Sequence, residues 1–193
     1  ALLAMHVAPH AATGKSRSLG RDFREGVAYA WGFPPIRDIL GLLGLSSLMG
    51  LSYGTLMPVF ARDVFGGGVQ YFGFLLGASG LGALVGTAYL ASRRSVVGLG
   101  RVIAFGAGLF GVSIVAFAMT RTFAAALPLL LLAGLGMMLQ IASSNTLLQT
   151  IVDDDKRGRV MALYTIAFLG MMPFGSLLAG SLAHTLGAPR TLM

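Results

Sequence analysis

The side chains that could do chemistry in this chain are few, and a serine and a histidine come first among them. Ser79 stands in the run Gly77-Ala78-Ser79-Gly80, and His184 lies far along the chain. A serine hydroxyl beside a histidine can attack a carbonyl, because the histidine removes the hydroxyl proton. Ser79 and His184 therefore define one candidate activity, hydrolysis of an acyl bond.

A literal G-x-G-x-x-G, formed by Gly106, Gly108 and Gly111, suggests a dinucleotide-binding turn instead. Such a turn needs a strand before the glycines and an acidic residue about 20 positions after them. The next acidic residue is Asp153, and the surrounding sequence is apolar. We therefore expect these glycines to pack helices together.

The first residues carry two further partial motifs. Gly14-Lys15-Ser16 resembles the end of a phosphate-binding loop, but Pro9 stands where the first glycine of that loop would be. His6 and His10 are four residues apart, yet Pro9 disturbs the helix that would align them, and no cysteine or nearby carboxylate completes a site. We predict neither a metal nor any other cofactor.

Composition indicates what kind of protein carries these residues. Of the 193 residues, 55% are hydrophobic and 11% are charged, and the mean hydropathy is +0.80. Soluble domains carry about 25% charged residues. The net charge of +7 does not indicate nucleic-acid binding, because the basic residues do not cluster on one exposed face. The sequence thus predicts an all-α polytopic membrane protein, in which the 28 glycines serve helix packing.

Charged residues divide the chain into five long apolar stretches. Each holds about 19 residues or more, enough to cross a hydrocarbon layer about 30 Å thick as a helix. The predicted spans are about 39–61, 69–92, 102–120, 122–152 and 160–187. They form one bundle over residues 39–193, preceded by a loop over residues 1–38. Since the stretch 1–7 resembles the end of another helix, we expect the bundle to be incomplete and the chain to be part of a longer protein.

The basic residues lie mostly on one side of this predicted bundle. Eleven of the 14 lysines and arginines fall before the first span, after the second or after the fourth. Loops rich in lysine and arginine stay in the cytoplasm. We therefore place residues 1–38 and the loops 93–101 and 153–159 in the cytoplasm, with the spans in the inner membrane.

Residues 1–38 contain a short amphipathic pattern. Phe23, Val27, Ala30 and Trp31 recur at helical spacing, and Pro34-Pro35 ends the segment. The pattern predicts a helix. It lies either at the membrane interface, with Trp31 at headgroup level and arginines against anionic lipid, or in an ordinary loop.

Within a membrane, the run around Ser79 resembles the G-x-S-G of rhomboid intramembrane proteases. The Trp-Arg loop motif and the oxyanion-supporting histidine and asparagine of that family have no counterparts in this sequence. The protease stays as an alternative, and a packing role for Ser79 is preferred. The neighbouring glycines form two small-xxx-small pairs that predict close helix contacts, Gly73 with Gly77 and Gly82 with Gly86.

Three runs of sequence carry a more extensive resemblance. They are residues 58–64 (PVFARDV), 139–149 (LQIASSNTLLQ) and 155–164 (DKRGRVMALY). They resemble transporters of the major facilitator superfamily, and within it the enterobactin-exporter-like, multidrug-efflux-like branch. The resemblance implies that the five spans correspond to helices seven to eleven of a twelve-helix fold, with the N-terminal half of the same transporter as their partner.

The resemblance also implies a function. It is that of a secondary active transporter, not an enzyme, which exports a small molecule such as a drug or siderophore by alternating access. A channel or an ATP-driven permease domain is a further alternative. The sequence shows no filter segment that a channel would need.

Polar residues inside the spans mark a candidate substrate cavity, because polar groups at membrane depth are costly unless they face protein or water. In the superfamily, the helices that match the first, second, fourth and fifth spans line the central cavity. The substrate-facing candidates are Tyr53, Gln140, Ser144, Asn145 and Gln149. An alternative role for the same side chains is to tie helices together.

Two loops resemble the cytoplasmic gating loops of the superfamily, although Ser92 replaces the aspartate that supports a salt bridge in the first. The loop and gating candidates are Arg93, Arg94, Arg101, Arg157, Gly158 and Arg159. Alternating access also needs helices that bend. Pro173 predicts a bend in the fifth span.

Overall fold

The computed structural model describes residues 19–186 and 191, and this part of the chain is helical without strands. The helices are α1 Leu19–Gly32, α2 Pro34–Val59, α3 Val69–Ser92, α4 Leu99–Met119, α5 Phe123–Ile151, α6 Asp154–Thr165 and α7 Met172–Leu186. A π-helical turn extends α2 over Phe60–Val64, and another joins α6 to α7 over Ile166–Gly170. The motifs of the first residues, with His6 and His10, and the predicted end of the fifth span at 187 lie outside the described residues.

Five helical segments are long and apolar enough to cross a membrane, which confirms the predicted fold class. They are Pro34–Val64, Val69–Ser92, Leu99–Met119, Phe123–Ile151 and Asp154–Thr185. The first begins earlier than predicted, because Pro34 and Pro35 occupy the first turn, where a missing N–H costs nothing. The fifth also begins early, since acidic residues in a first turn stabilise the helix.

The central helix of the bundle is α5, which packs along both α3 and α4. Glycines bring these helices into contact. A Cβ atom on Gly134 would collide with the backbone of Ser79, and one on Gly82 would collide with the backbone of α5. Gly106 and Gly136 meet in the same way between α4 and α5. Helices that touch backbone to backbone gain dispersion energy in a medium where apolar burial gives none.

One of the two glycine contact pairs predicted on α3 makes its contact among the described residues. Gly82 and Gly86 contact α5, whereas the Cβ positions of Gly73 and Gly77 have no atom within 4 Å among the described residues. The helical period explains the difference. A helix turns by about 100° per residue, so residues nine apart, such as Gly73 and Gly82, lie on opposite faces.

The fifth span is divided into two helices at a point next to α2. α7 packs against α2, where a Cβ atom on Gly175 would collide with the carbonyl of Leu48. The π-helical turn and a bend at Met171 come directly before Pro173. Proline lacks an N–H group and its ring crowds the carbonyl four residues earlier, which interrupts the helix here.

The two ends of the bundle are built differently. One end, which we call the basic end, is defined by the loop 93–98 and the first turn of α6, and an aliphatic cluster fills it between α1, α2, α4, α5 and α6. The opposite, aromatic end holds packed rings. Phe60 and Phe117 have ring centroids 4.7 Å apart, and Tyr71 stacks on Phe123 at 4.1 Å.

Candidate functional site

In the middle of the bundle, polar side chains of α2 meet polar side chains of α3 and α5. The Tyr53 hydroxyl lies 3.1 Å from Ser79 Oγ, and both side chains are buried. Gln140 Nε2 donates to Ser46 Oγ at 2.8 Å and to the Leu42 carbonyl at 3.4 Å. These bonds satisfy polar groups at membrane depth and tie α2 to its neighbours.

Three of the predicted substrate-facing residues therefore lie inside the described bundle. Tyr53 and Gln140 have protein partners, and Ser144 is 1% exposed. Its hydroxyl, like those of Ser47 and Ser143, has no hydrogen-bond partner within the described part of the chain. These three hydroxyls can therefore form further hydrogen bonds in the middle of the bundle. Contact of these residues with a substrate stays a prediction.

Asn145 and Gln149 lie one turn apart on α5, nearer the basic end. Gln149 Nε2 donates to Asn145 Oδ1. The Tyr164 hydroxyl of α6 donates to the Ile141 carbonyl of α5 at 3.2 Å, one turn before Asn145. Gln149 is exposed and Asn145 is half-buried, so this pair presents amide groups at the surface of the bundle.

Tyr164 is a member of this cluster that sequence reasoning missed. It is the last residue of the 155–164 run that carries the resemblance to the superfamily, and its place in that run could have identified it as a candidate. The neighbouring Thr146 and Thr150 are different. Their hydroxyls donate to carbonyls one turn earlier on α5, at 3.0 and 2.8 Å, and so are satisfied by their own helix.

The structure does not pair Ser79 with His184. The Ser79 hydroxyl lies against Tyr53, and its backbone is covered by Gly134. His184 is exposed on α7. A serine nucleophile needs a general base at its hydroxyl, and the partner found here is another hydroxyl. Over residues 19–186 and 191, no group of three or more His, Cys, Asp or Glu residues could hold a metal ion.

Arg93 folds back on its own loop between α3 and α4. Its Nη2 donates to the backbone carbonyl four residues later at 2.7 Å, and its Nη1 donates to the Tyr89 hydroxyl at 3.2 Å. Ser92 Oγ donates to the Tyr89 carbonyl at 2.7 Å, so the residue that replaces the aspartate of the superfamily closes the end of α3. Arg94 and Arg101 are exposed.

The start of α6 is held by α1. Arg159 Nη1 pairs with a Glu25 oxygen at 2.9 Å, and the Tyr29 hydroxyl donates to Asp153 Oδ2 at 3.3 Å. Lys156 Nζ lies 4.5 Å from the centre of the Tyr29 ring, a cation–π contact. We call these contacts the α1–α6 clasp. Sequence periodicity predicted α1 but gave no sign of its partner.

The other candidates of this loop lie outside the clasp. Arg157 Nη2 pairs with Asp154 on its own helix at 2.5 Å. Gly158 is exposed, and its Cβ position meets nothing within 4 Å in the described residues. Gating by the residues of either loop stays a prediction.

Comparison with known proteins agrees with this architecture. The model of the transmembrane secretion effector family, within the major facilitator superfamily, matches residues 1–193. The chain is 28% identical over 142 residues to the staphyloferrin A transporter of Staphylococcus aureus (strain NCTC 8325 / PS 47), a match that covers 74% of this chain and 35% of that protein. The chain thus spans about a third of the length of this relative. No solved structure matches significantly. The whole-chain match and the five apolar helices together show an integral membrane protein that belongs to the transmembrane secretion effector family of the major facilitator superfamily.

Proposed function

We propose that the transporter to which this chain belongs is a secondary active exporter of a small molecule of the siderophore class. The observation that carries the proposal is the family match over residues 1–193. The similarity to a staphyloferrin A transporter supports the substrate class. In this proposal α2, α3, α4, α5 and the α6–α7 pair are the seventh to eleventh of twelve membrane helices, and the N-terminal half of the transporter packs against them.

The basic end of the bundle faces the cytoplasm in this proposal, with the spans in the inner membrane. The distribution of charge supports the orientation, because eleven of the 14 basic residues come before the first span, after the second or after the fourth in the sequence. α1, which precedes the first span, then lies on the cytoplasmic side as well. The aromatic end faces the opposite side of the membrane.

Asn145 and Gln149 are the substrate contacts that we propose first. Their amides donate and accept hydrogen bonds without carrying charge, which suits the carbonyl and hydroxyl oxygens of a chelating molecule. Polar side chains at membrane depth mark a pathway when they do not face lipid. Tyr53, Gln140 and Ser144 lie deeper in the bundle. Gln140 joins α5 to α2, so its proposed contribution includes positioning the helix that carries the amides.

Alternating access needs the fifth span to change shape, and the α6–α7 break is where we propose that it does so. Gly175 keeps α7 against α2. The interruption before Pro173 then lets α6 tilt at the basic end while α7 stays in place.

The test is transport by the full-length protein in inverted membrane vesicles, with an imposed proton gradient and a siderophore or an efflux dye as substrate. We expect gradient-driven siderophore uptake that a protonophore abolishes. Asn145→Ala should raise KM about tenfold through one lost hydrogen bond. Thr146→Ala is the matched control and should leave KM unchanged, because the Thr146 hydroxyl is bonded within its own helix.

Two outcomes would contradict this proposal. Uptake that needs ATP and survives the protonophore would indicate an ATP-driven permease. Uptake of dye without siderophore, with equal KM in Asn145→Ala and wild type, would remove both the substrate class and the site.

A further inference from the structure

An apolar groove lies at the basic end of the bundle. Its volume is about 370 Å³, and it runs between α1, α2 and the α6–α7 break. Val27 and Trp31 form its α1 wall, Gly41 and Leu45 its α2 wall, and Ile166 its far wall. The volume falls within the range of about 300–1,000 Å³ found for small-ligand sites.

The groove is polar at one end and apolar along the rest of its length. Among the residues that the structure describes, Arg37 is the charged one that lines it, and its side chain is 46% exposed. Arg37 Nε donates to Asp38 at 3.1 Å, and a guanidinium has four further N–H donors on its Nη atoms. Leu45 lies about 12 Å further along α2, in the direction of the bilayer interior. A ligand that fits both ends carries an anionic head and an apolar tail.

The outward face of α1, beside the groove, also combines apolar side chains with an arginine. Phe23, Val27 and Trp31 are spaced four residues apart and share one face of the helix, and the side chains of Phe23 and Trp31 are 52% and 69% exposed. Arg24, next to that face, is also exposed. The clasp residues occupy the other side of α1. Exposed aromatic rings with arginines are typical of a helix at headgroup level.

We propose that this groove binds an anionic glycerophospholipid from the surrounding bilayer. The phosphate lies at Arg37, and one acyl chain follows Gly41 and Leu45 to the α6–α7 break. Charge complementarity and the apolar walls both favour this occupant over a polar solute. The inference concerns a site separate from the transported substrate and does not rest on the proposed function.

Gly41 provides a variant that fills the groove without disturbing the fold. Its Cβ position meets no atom of the described residues within 4 Å, so Gly41→Leu adds a side chain without a backbone collision there and also improves helix propensity. Gly54→Leu is the matched control, because Gly54 lies on the same helix, is equally open and does not line the groove. Arg37→Gln removes only the proposed contact with the phosphate of the lipid head group.

The experiment places the full-length protein in nanodiscs that contain phosphatidylglycerol and phosphatidylcholine in equal amounts, then extracts it and counts the retained lipids by mass spectrometry. We expect wild type and Gly54→Leu to retain phosphatidylglycerol preferentially. Gly41→Leu should lose retained lipid, and Arg37→Gln should weaken the preference for phosphatidylglycerol about tenfold. Thermal unfolding of each variant shows that the protein is folded.

A photoreactive residue in place of Leu45 identifies the occupant directly. An adduct with the mass of phosphatidylglycerol supports the proposal. An adduct with another segment of the protein would show that protein fills the groove, and the proposal would be wrong. Equal retention by Gly41→Leu and wild type, or equal retention of the two lipids, would also overturn it.

Discussion

Tyr53 and Ser79 form a buried pair of hydroxyl groups that joins α2 to α3. In a soluble protein such a hydrogen bond contributes about 0.5–1.5 kcal/mol net, since water competes for both hydroxyls in the unfolded state. Between membrane helices a polar side chain without a partner is costly, so such pairs select one helix arrangement. Ser79 is also the residue whose backbone is covered by Gly134 of α5. Ser79 therefore contacts two other helices, α2 through its hydroxyl and α5 through its backbone.

A double-mutant cycle on Tyr53 and Ser79 tests this pair. Tyr53→Phe and Ser79→Ala should each lower the free energy of unfolding by about 1 kcal/mol. The loss in the double variant should be about 0.6 kcal/mol smaller than the sum of the two single losses, and this difference is the coupling energy. Unfolding of the purified full-length protein in mixed micelles measures the cycle. Thr87→Val on the same helix is the control, because the Thr87 hydroxyl donates to Ala83 of its own helix at 2.9 Å. A coupling of zero would mean that the two hydroxyls do not interact.

The glycine contacts make a second prediction for single residues. Gly134→Ala places a methyl group into the backbone of Ser79 and should lower stability by about 1–3 kcal/mol through overpacking. Gly77→Ala should be neutral or stabilising, because its Cβ position is open and alanine favours a helix. Thermal unfolding of the two variants compares the same chemical change at a contact and away from one. Equal melting temperatures would argue against the close approach of α3 and α5.

At the scale of elements, the α1–α6 clasp joins the loop before the first span to the start of the fifth. Its ion pair is partly exposed, and such pairs contribute only about 0–1 kcal/mol each. The clasp also has a close contact, since the Cβ position of Gly26 lies 3.2 Å from Arg159 Cβ. Weak polar contacts around one close approach allow α1 and α6 to separate and dock again.

A disulfide between residues 26 and 159 tests whether the clasp opens during transport. Residues 1–193 contain no cysteine, so Gly26→Cys with Arg159→Cys creates one defined pair within them. Disulfides form when Cβ atoms lie about 3.5–4.5 Å apart, a few tenths of an ångström beyond the present separation. We expect the pair to cross-link on oxidation and the oxidised transporter to work several-fold more slowly than the reduced one.

Gly20→Cys with Arg159→Cys is the control for that measurement. Gly20 lies on the same helix, and its Cβ position has no neighbour within 4 Å in the part of the chain that the structure describes, so this pair should not cross-link. Unchanged transport after complete cross-linking at 26 and 159 would show that α1 and α6 move as one body.

At the scale of the whole molecule, the fifth span has the least cover. In its most apolar stretch of 18 residues, 11% is buried inside the described structure, whereas 44% of the corresponding stretch of the first span is buried. A surface this apolar is stable against lipid or against further membrane helices, and it would aggregate in water. The family assignment agrees with this distribution, because the proposed N-terminal half and the bilayer both supply apolar partners.

The orientation of the whole bundle is open to chemical labelling in intact cells. A cysteine at Gly68 should react with an impermeant thiol reagent from outside, and one at Ser95 should not, because Ser95 lies in the basic loop. Gly68 is a better position than Gly67, whose Cβ position is occupied by the Tyr71 ring, and both Gly68 and Ser95 are exposed. Labelling at Ser95 without labelling at Gly68 would invert the proposed topology.

The sequence alone determined that the chain is a helical membrane protein with five spans. Hydrophobic length and low charge decide that outcome without knowledge of any partner, because a bilayer accepts few structures. The resemblance of the runs at 58–64, 139–149 and 155–164 predicted the superfamily, which the comparisons confirm. Pro173 indicated where the fifth span is interrupted, since the effect of proline on its own helix is local.

Tertiary structure alone decided which polar side chains meet. Gln140 and Asn145 look alike in sequence, yet Gln140 donates to Ser46 inside the bundle and Asn145 stays half-buried beside Tyr164. Tyr29 and Asp153 are 124 residues apart, and no local pattern connects them. Which side chains meet depends on how whole helices are rotated and how closely they approach. Gly82 allows α5 to approach one face of α3, whereas Gly73 lies on the opposite face, where no described helix approaches it. Spacing along one helix defines its faces, whereas only packing against the neighbouring helices decides what each face contacts.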